Sequence, residues 1–222
     1  KESGERMKKR TKGVLAAALA AAGVFLLAGL DARLLVRAYT VESGRLTGPV
    51  RLAVLTDLHA CAYGEGQREL LDAVAEQSPD LVLLCGDIVD DEPRMPEARA
   101  LDTVEALAAV WPTYYVTGNH EARVSECAEL KAGLEAAGVV VLENERGEIE
   151  LSGETITILG VDDPSFNTDY LFGDSASVVS NTLAEISTED DGFAVLLSHR
   201  PELFDTYVAC GVDLALSGHA HG

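Results

Sequence analysis

The chain has 222 residues, 47% of them hydrophobic and 24% charged, a balance that suits one folded domain with a short appendage. Residues 1–40 carry eight Lys or Arg against three acids, and the remainder nine against thirty-four, so a start of about +5 precedes a body of −25. A body that acidic repels nucleic-acid backbones and excludes a basic nucleic-acid-binding role. Bound divalent cations are the local reversal that an anionic substrate would need.

Residues 1–12 read as a basic flank in which Lys8, Lys9, Arg10 and Lys12 precede an apolar run. That run, Gly13 to Leu30, has eighteen residues without a charge. At ~1.5 Å rise per residue it approaches the thickness of a hydrocarbon core. Positive flanks stay on the cytoplasmic side, so the body is expected outside the cytoplasm, at a bacterial cell membrane. A cleaved signal sequence, with Ala18-Leu19-Ala20 as its small-residue site, is one reading. An uncleaved transmembrane anchor fits better, because the apolar run continues through Phe25, Leu26 and Leu27. Residues 31–49 then read as a linker and 50–222 as the folded domain. Cys61, Cys85, Cys127 and Cys210 show no close pair spacing, which gives no support to a structural zinc site.

The body alternates β-rich and helical patterns. Leu52 to Thr56 reads as a buried strand, Arg68 to Gln77 as a helix with Leu70, Leu71 and Val74 on one face, and Leu81 to Cys85 as a second strand. Ala98 to Val110 has helical spacing, Tyr114 to Val116 is a strand, and Glu126 to Ala137 is a helix stopped by Gly138. Val139–Leu142 and Thr155–Leu159 are strands joined through the turn-rich stretch Asn144–Gly153. Phe193–Leu197 and Leu214–Leu216 are further strands, with a helix opened by Pro201 and closed by Gly211 between them. This alternation, with continuous apolar strands, indicates an α/β domain whose helices cover buried sheets.

Nearly every strand ends in a side chain able to hold a metal. Asp57 and His59 follow the first, Asp87 the second, and Asn119 and His120 the third. His199 follows Phe193–Leu197, and His219 with His221 follow Leu214–Leu216. Open α/β sheets bind ligands outside the carboxyl ends of their strands, so these positions are expected to converge. Singly, Asp-x-His, Gly-Asp and Gly-Asn-His are ordinary turns, and Ser-His-Arg-Pro is an ordinary helix entry. Gly-His-Ala-His says more, because alternate imidazoles rarely serve packing. Together, all at strand ends, they leave little room for the bland explanation.

The order Asp57-Leu-His59, Gly86-Asp87, Gly118-Asn119-His120-Glu121, His199 and Gly218-His219-Ala-His221 resembles the calcineurin-like metallophosphoesterases over about residues 50–222. The resemblance implies a β-sandwich of two mixed sheets flanked by helices, in four layers, with C-terminal strands expected to be missing from this chain. It implies two divalent ions, of Mn, Fe or Zn. Asp57, His59 and His221 would hold one, Asn119, His199 and His219 the other, and Asp87 would bridge them. Neutral imidazoles and an amide oxygen complete such shells without overcharging them, and the chemistry implied is hydrolysis by water activated between two cations. His120 would be the acid beside the leaving group, oriented by Asp90. Where the family often has Arg after that acid, this chain has Asp91, which removes one expected phosphate contact.

Arg37-Ala-Tyr-Thr-Val-Glu42 and Ile158-Leu-Gly-Val-Asp-Asp163-Pro are similar to the membrane-anchored bacterial branch, which includes UDP-2,3-diacylglucosamine hydrolase-like enzymes. That likeness implies a lipid-linked or envelope phosphoester substrate. The alternative is a non-catalytic member that keeps the fold and binds a protein partner; such members lose the acid histidine or a ligand, and this chain retains both. A metalloprotease is set aside for want of a His-Glu-x-x-His helix.

Overall fold

A computed structural model of the chain describes Gly23 and residues 34–91, 97–167, 174–188 and 192–221. Apart from Gly23, the expected apolar anchor at 13–30 lies outside the described residues, as does the basic flank. The chain divides into two units, Lys1–Arg37 and Ala38–Gly222. In the first, residues 34–37 are exposed and without regular structure. No helix among the described residues is long and apolar enough to cross a membrane.

The second unit holds two four-stranded sheets. The first contains β1 (Leu52–Leu55), β2 (Leu81–Cys85), β3 (Thr113–Val116) and β4 (Val140–Val141), in that order. Helices α1 (Arg68–Gln77), α2 (Glu97–Ala108) and α3 (Cys127–Ala136) form the crossovers between successive strands. The second sheet runs β5 (Glu145–Leu151), β6 (Glu154–Val161), β7 (Phe193–Ser198) and β8 (Leu214–Leu216), with α4 (Ser175–Ile186) and α5 (Phe204–Ala209) between its later strands.

Strand β2 is fully buried, and alternation along it assigns the layers. Val82 and Leu84 join Leu70, Val74, Val104, Leu107 and Leu134 in a core beneath α1 to α3. Leu81, Leu83 and Cys85 point the other way and meet Ile156, Ile158, Val195 and Leu197 of the second sheet. The far face of that sheet sets Leu159, Val161 and Leu196 against Val179, Leu183 and Tyr207. The result is helix, sheet, sheet, helix, the four layers the resemblance implies. Each fully buried leucine contributes about 1.5–3 kcal/mol by leaving water.

Two details differ from expectation. The first sheet is parallel throughout, and only the second is mixed, through the antiparallel β5–β6 pair. A crossover helix between each pair of successive strands of the first sheet enforces this. The stretch read as turn-rich is mostly β5, because Ile149 and Leu151 alternate with exposed glutamates on a half-buried edge strand. Ser152 and Gly153 make its hairpin turn, both at positive φ (55° and 83°), which is the backbone a tight two-residue hairpin requires. Helix α4, capped by Asp174 accepting the Ala176 N–H at 3.1 Å, had no counterpart in the sequence reading.

Candidate metal centre

The loops after β1, β2, β3, β7 and β8 meet at the carboxyl ends of the sheets. Their backbones are held in uncommon conformations: Asp57, His59, Asp87, His219 and His221 all have φ between 47° and 68°. Non-glycine residues rarely adopt that region, and they do so where the surroundings over-determine them. Here the constraints are explicit. Asp57 donates its N–H to Gly86 O at 3.1 Å and His59 to Asp87 O at 3.0 Å, which locks the first loop onto the second. Gly86 must be glycine, since its φ is +84° and a Cβ would lie 2.7 Å from the Gly118 Cα.

All nine residues singled out from the sequence are gathered there. Asp57, His59 and His221 form one group and Asp87, His199 and His219 another; within each group one ligand atom per residue lies within 4.8 Å of the others. The rings of His59 and His221 stack with centroids 5.0 Å apart, and their Nε2 atoms are 3.3 Å apart. His199 Nε2 lies 3.0 Å from Asp87 Oδ2 and 3.9 Å from Asp57 Oδ1. Asp57 also accepts the His219 backbone N–H at 3.0 Å, tying the first loop to the last. Asn119 is buried at the end of β3.

His120 faces three carboxylates. Its Nε2 is 3.9 Å from Asp87 Oδ2, and its Nδ1 is 3.6 Å from Asp90 Oδ1. Asp90 therefore sits beside His120, as the resemblance implies, but its other oxygen is 3.4 Å from His59 Nδ1. Asp91, noted from sequence only as a missing arginine, brings Oδ1 to 3.0 Å from His120 Nδ1.

Two further residues were given no chemical role in the sequence reading. Glu121 is fully buried, and its carboxylate accepts the backbone N–H groups of Asp87 (2.9 Å), Gly118 (2.6 Å) and Val89 (3.2 Å). It was visible in the sequence only as the last letter of Gly-Asn-His-Glu. Asp163, noted from sequence only within the stretch similar to the bacterial branch, is a buried partner of Arg200: Nε donates to Oδ2 at 2.5 Å and Nη2 to Oδ1 at 3.0 Å. A third guanidinium nitrogen, Nη1, reaches His219 Nε2 at 3.1 Å.

The electrostatics follow from burial and charge. Burial alone would raise the Asp87 carboxyl, but His199 and the His120 N–H outweigh it and hold it below the usual aspartate value. Burial would lower His199, but Asp87, with the Cys85 carbonyl contact, holds it above the usual histidine value. His59 is pushed down, chiefly by burial, with His120 and His221 adding repulsion, which favours a neutral ring. Burial and repulsion from Asp87 raise Glu121 despite its three N–H donors. Cys85 is pushed up to about 12 by burial, as suits a residue wholly inside the core.

Divalent cations fit this donor set. His199 Nδ1 lies 2.7 Å from the Cys85 carbonyl, which can only accept, so Nε2 of the neutral ring offers a lone pair toward Asp57 and Asp87. Among the described residues, Nε2 and the Asn119 Oδ1 are buried without a well-directed hydrogen bond, Nε2 having only the Asp87 carboxylate 3.0 Å away. A buried amide oxygen without a well-directed partner costs about 1–3 kcal/mol, and an imidazole nitrogen set between two aspartates is a donor set that a cation satisfies.

A family model described as calcineurin-like phosphoesterase matches residues 50–222. The chain is 30% identical over 171 residues to the uncharacterized metallophosphoesterase YkoQ of Bacillus subtilis, covering 76% of this chain and 59% of the relative. It is 27% identical over 179 residues to the phosphodiesterase YaeI of Escherichia coli, covering 78% of this chain and 61% of YaeI. The chain thus spans about 60% of the length of these two relatives. Among solved structures, the sulfate thiohydrolase SoxB of Thermus thermophilus aligns with a TM-score of 0.53 at 15% identity, over 82% of this chain and 49% of SoxB. That likeness speaks for the fold alone.

Proposed function

The chain belongs to the calcineurin-like phosphoesterase family, and from that membership we propose a hydrolase of phosphodiester, pyrophosphate or phosphomonoester bonds that depends on two divalent metal ions. The observation that carries the reading is the convergence of Asp57, His59 and His221 in one group and Asp87, His199 and His219 in another, with Asn119 buried in the loop after β3. Asp57, His59 and His221 would hold one cation and Asn119, His199 and His219 the other, with Asp87 between. Bound there, the cations would supply Lewis-acid polarisation of the phosphoryl group and a water acidic enough to attack at neutral pH.

The chain's own residues supply the rest. His120 turns Nδ1 toward Asp90 and Asp91, which leaves Nε2 on the side of Asp87 as the atom that hands a proton to the departing oxygen. Left-handed loop backbones fix the ligand directions before substrate arrives, so little reorganisation is needed during the reaction. The test is hydrolysis of an aryl phosphodiester by metal-reconstituted protein and by its Asp87→Ala form. The reading requires turnover in the first and its loss in the second; metal-replete protein inert toward every phosphoester class would favour the scaffold alternative.

The same proposal extends to place and substrate. Residues 13–30 would tether the domain to a bacterial cell membrane with its site outside the cytoplasm, within reach of a lipid-linked or envelope phosphoester. The support is the uncharged run behind four basic residues. Protease accessibility of the domain in intact spheroplasts tests it, and protection of the domain there would oppose it.

A further inference from the structure

Three acids crowd His120, and their distances to its ring differ. Asp91 Oδ1 is 3.0 Å from Nδ1, Asp90 Oδ1 is 3.6 Å from the same atom, and Asp87 Oδ2 is 3.9 Å from Nε2. Asp90 is divided between two histidines, with Oδ2 at 3.4 Å from His59 Nδ1. That Nδ1 is buried and makes no well-directed hydrogen bond, so Asp90 is the carboxylate that its N–H can address. Asp91 has no such second histidine. Its other oxygen is 3.5 Å from Arg123 Nη1.

The chain path explains why these groups meet. His120 caps the short turn Glu121–Arg123, and Arg123 donates its N–H to the His120 carbonyl at 2.9 Å. One turn therefore carries both the imidazole and the guanidinium that face Asp91. Glu121, inside that turn, fixes it to the loop of Asp87 and Val89 through backbone N–H groups. The pair Asp91–Arg123 is exposed, and such pairs contribute little to stability, so its consequence lies in orientation.

Resting on the hydrolase reading, we propose that Asp91 is the positioning residue of His120, while Asp90 chiefly steadies His59. Asp91 faces Nδ1 and so fixes which nitrogen is turned to the leaving group. The Asp91 backbone N–H also approaches Nδ1, at 3.5 Å, the outer limit of a hydrogen bond. A protonated Nδ1 cannot accept that bond and addresses the carboxylate instead, and the backbone N–H is unchanged in Asp91→Asn, so that substitution isolates the carboxylate.

The experiment compares the parent with Asp91→Asn and Asp90→Asn in two ways. The first is turnover of metal-loaded protein on two phosphodiesters, one releasing 4-nitrophenolate and one releasing a simple alkoxide. An alkoxide needs the acid's proton and 4-nitrophenolate does not. Asp91→Asn is expected to slow the alkyl ester about tenfold or more, while the nitrophenyl ester changes by less than about threefold. The second is the imidazole 15N spectrum of the metal-free chain. Asp91→Asn should move the His120 Nδ1 resonance, and Asp90→Asn should move chiefly that of His59.

Equal slowing of both esters by Asp91→Asn, or a His120 resonance that follows Asp90 and ignores Asp91, overturns the proposal. A loaded parent inert toward both esters overturns the hydrolase reading itself, a result distinct from an active parent whose Asp91→Asn form treats the esters alike.

Discussion

Glu121 holds Asp87 by its backbone: Oε2 accepts the Asp87 N–H at 2.9 Å while also accepting that of Gly118 at 2.6 Å. The carboxylate expected to bridge two cations is thus positioned by a second carboxylate behind it, at no exposure to solvent. Replacement by alanine leaves three buried N–H groups without acceptors. Each unsatisfied group costs about 1–3 kcal/mol, so Glu121→Ala should lose at least about 3 kcal/mol of stability. Metal affinity should fall with it. Glu121→Gln keeps one acceptor oxygen and should lose less. Urea denaturation and metal titration of both variants check this; a neutral Glu121→Ala would contradict it.

Arg200 and Asp163 form a buried, two-bonded ion pair whose guanidinium also reaches His219. Removing one member of such a pair strands the other charge, and typically costs about 3–5 kcal/mol. Asp163→Asn and Arg200→Met should each be destabilising on that scale. The double variant should be less harmful than the sum of the two, because neither charge is then stranded. A double-mutant cycle on thermal or urea unfolding gives the answer, and strict additivity would count against the pair.

Asp162 gives a pH signature. Burial raises its carboxyl above the ordinary aspartate value of 3.8; the Thr117 hydroxyl, 2.6 Å away, and Lys131 oppose the rise without cancelling it. A raised folded-state value means that the folded chain binds this proton more tightly than the unfolded one. The stabilisation it confers is complete below 3.8 and disappears as pH rises through the raised value. Asp162→Asn, which keeps an oxygen for Thr117, should therefore gain relative to the parent as pH rises from about 4 to 7. Urea midpoints of both proteins across that range should separate in favour of asparagine. A constant or reversed difference argues the other way.

Much of this was legible in the sequence, for identifiable reasons. β2 is a run of five buried residues flanked by breakers, and α1 repeats its apolar positions with a clear helical period, so both boundaries could be read directly. The candidate ligand positions stood out because chemistry restricts which side chains can stand at strand ends. Strand β5 was obscured by four charged residues in seven, although its inward positions alternate as an edge strand's should. Roles that depend on a partner far along the chain were not readable. Glu121 serves backbone N–H groups as far as 34 residues away, and Asp163 is paid for by Arg200, 37 residues on. Asp91 is the sharpest case: against a family pattern it is only a lost arginine, and in three dimensions it is the acid nearest His120 Nδ1.

The most direct test of the central claim is the rate of bis(4-nitrophenyl) phosphate hydrolysis before and after chelation, and again after Mn, Fe or Zn is returned to the same sample. If the seven convergent side chains serve metal-dependent catalysis as proposed, turnover is lost on stripping and recovers on reloading. Undiminished hydrolysis by thoroughly stripped protein would contradict the account.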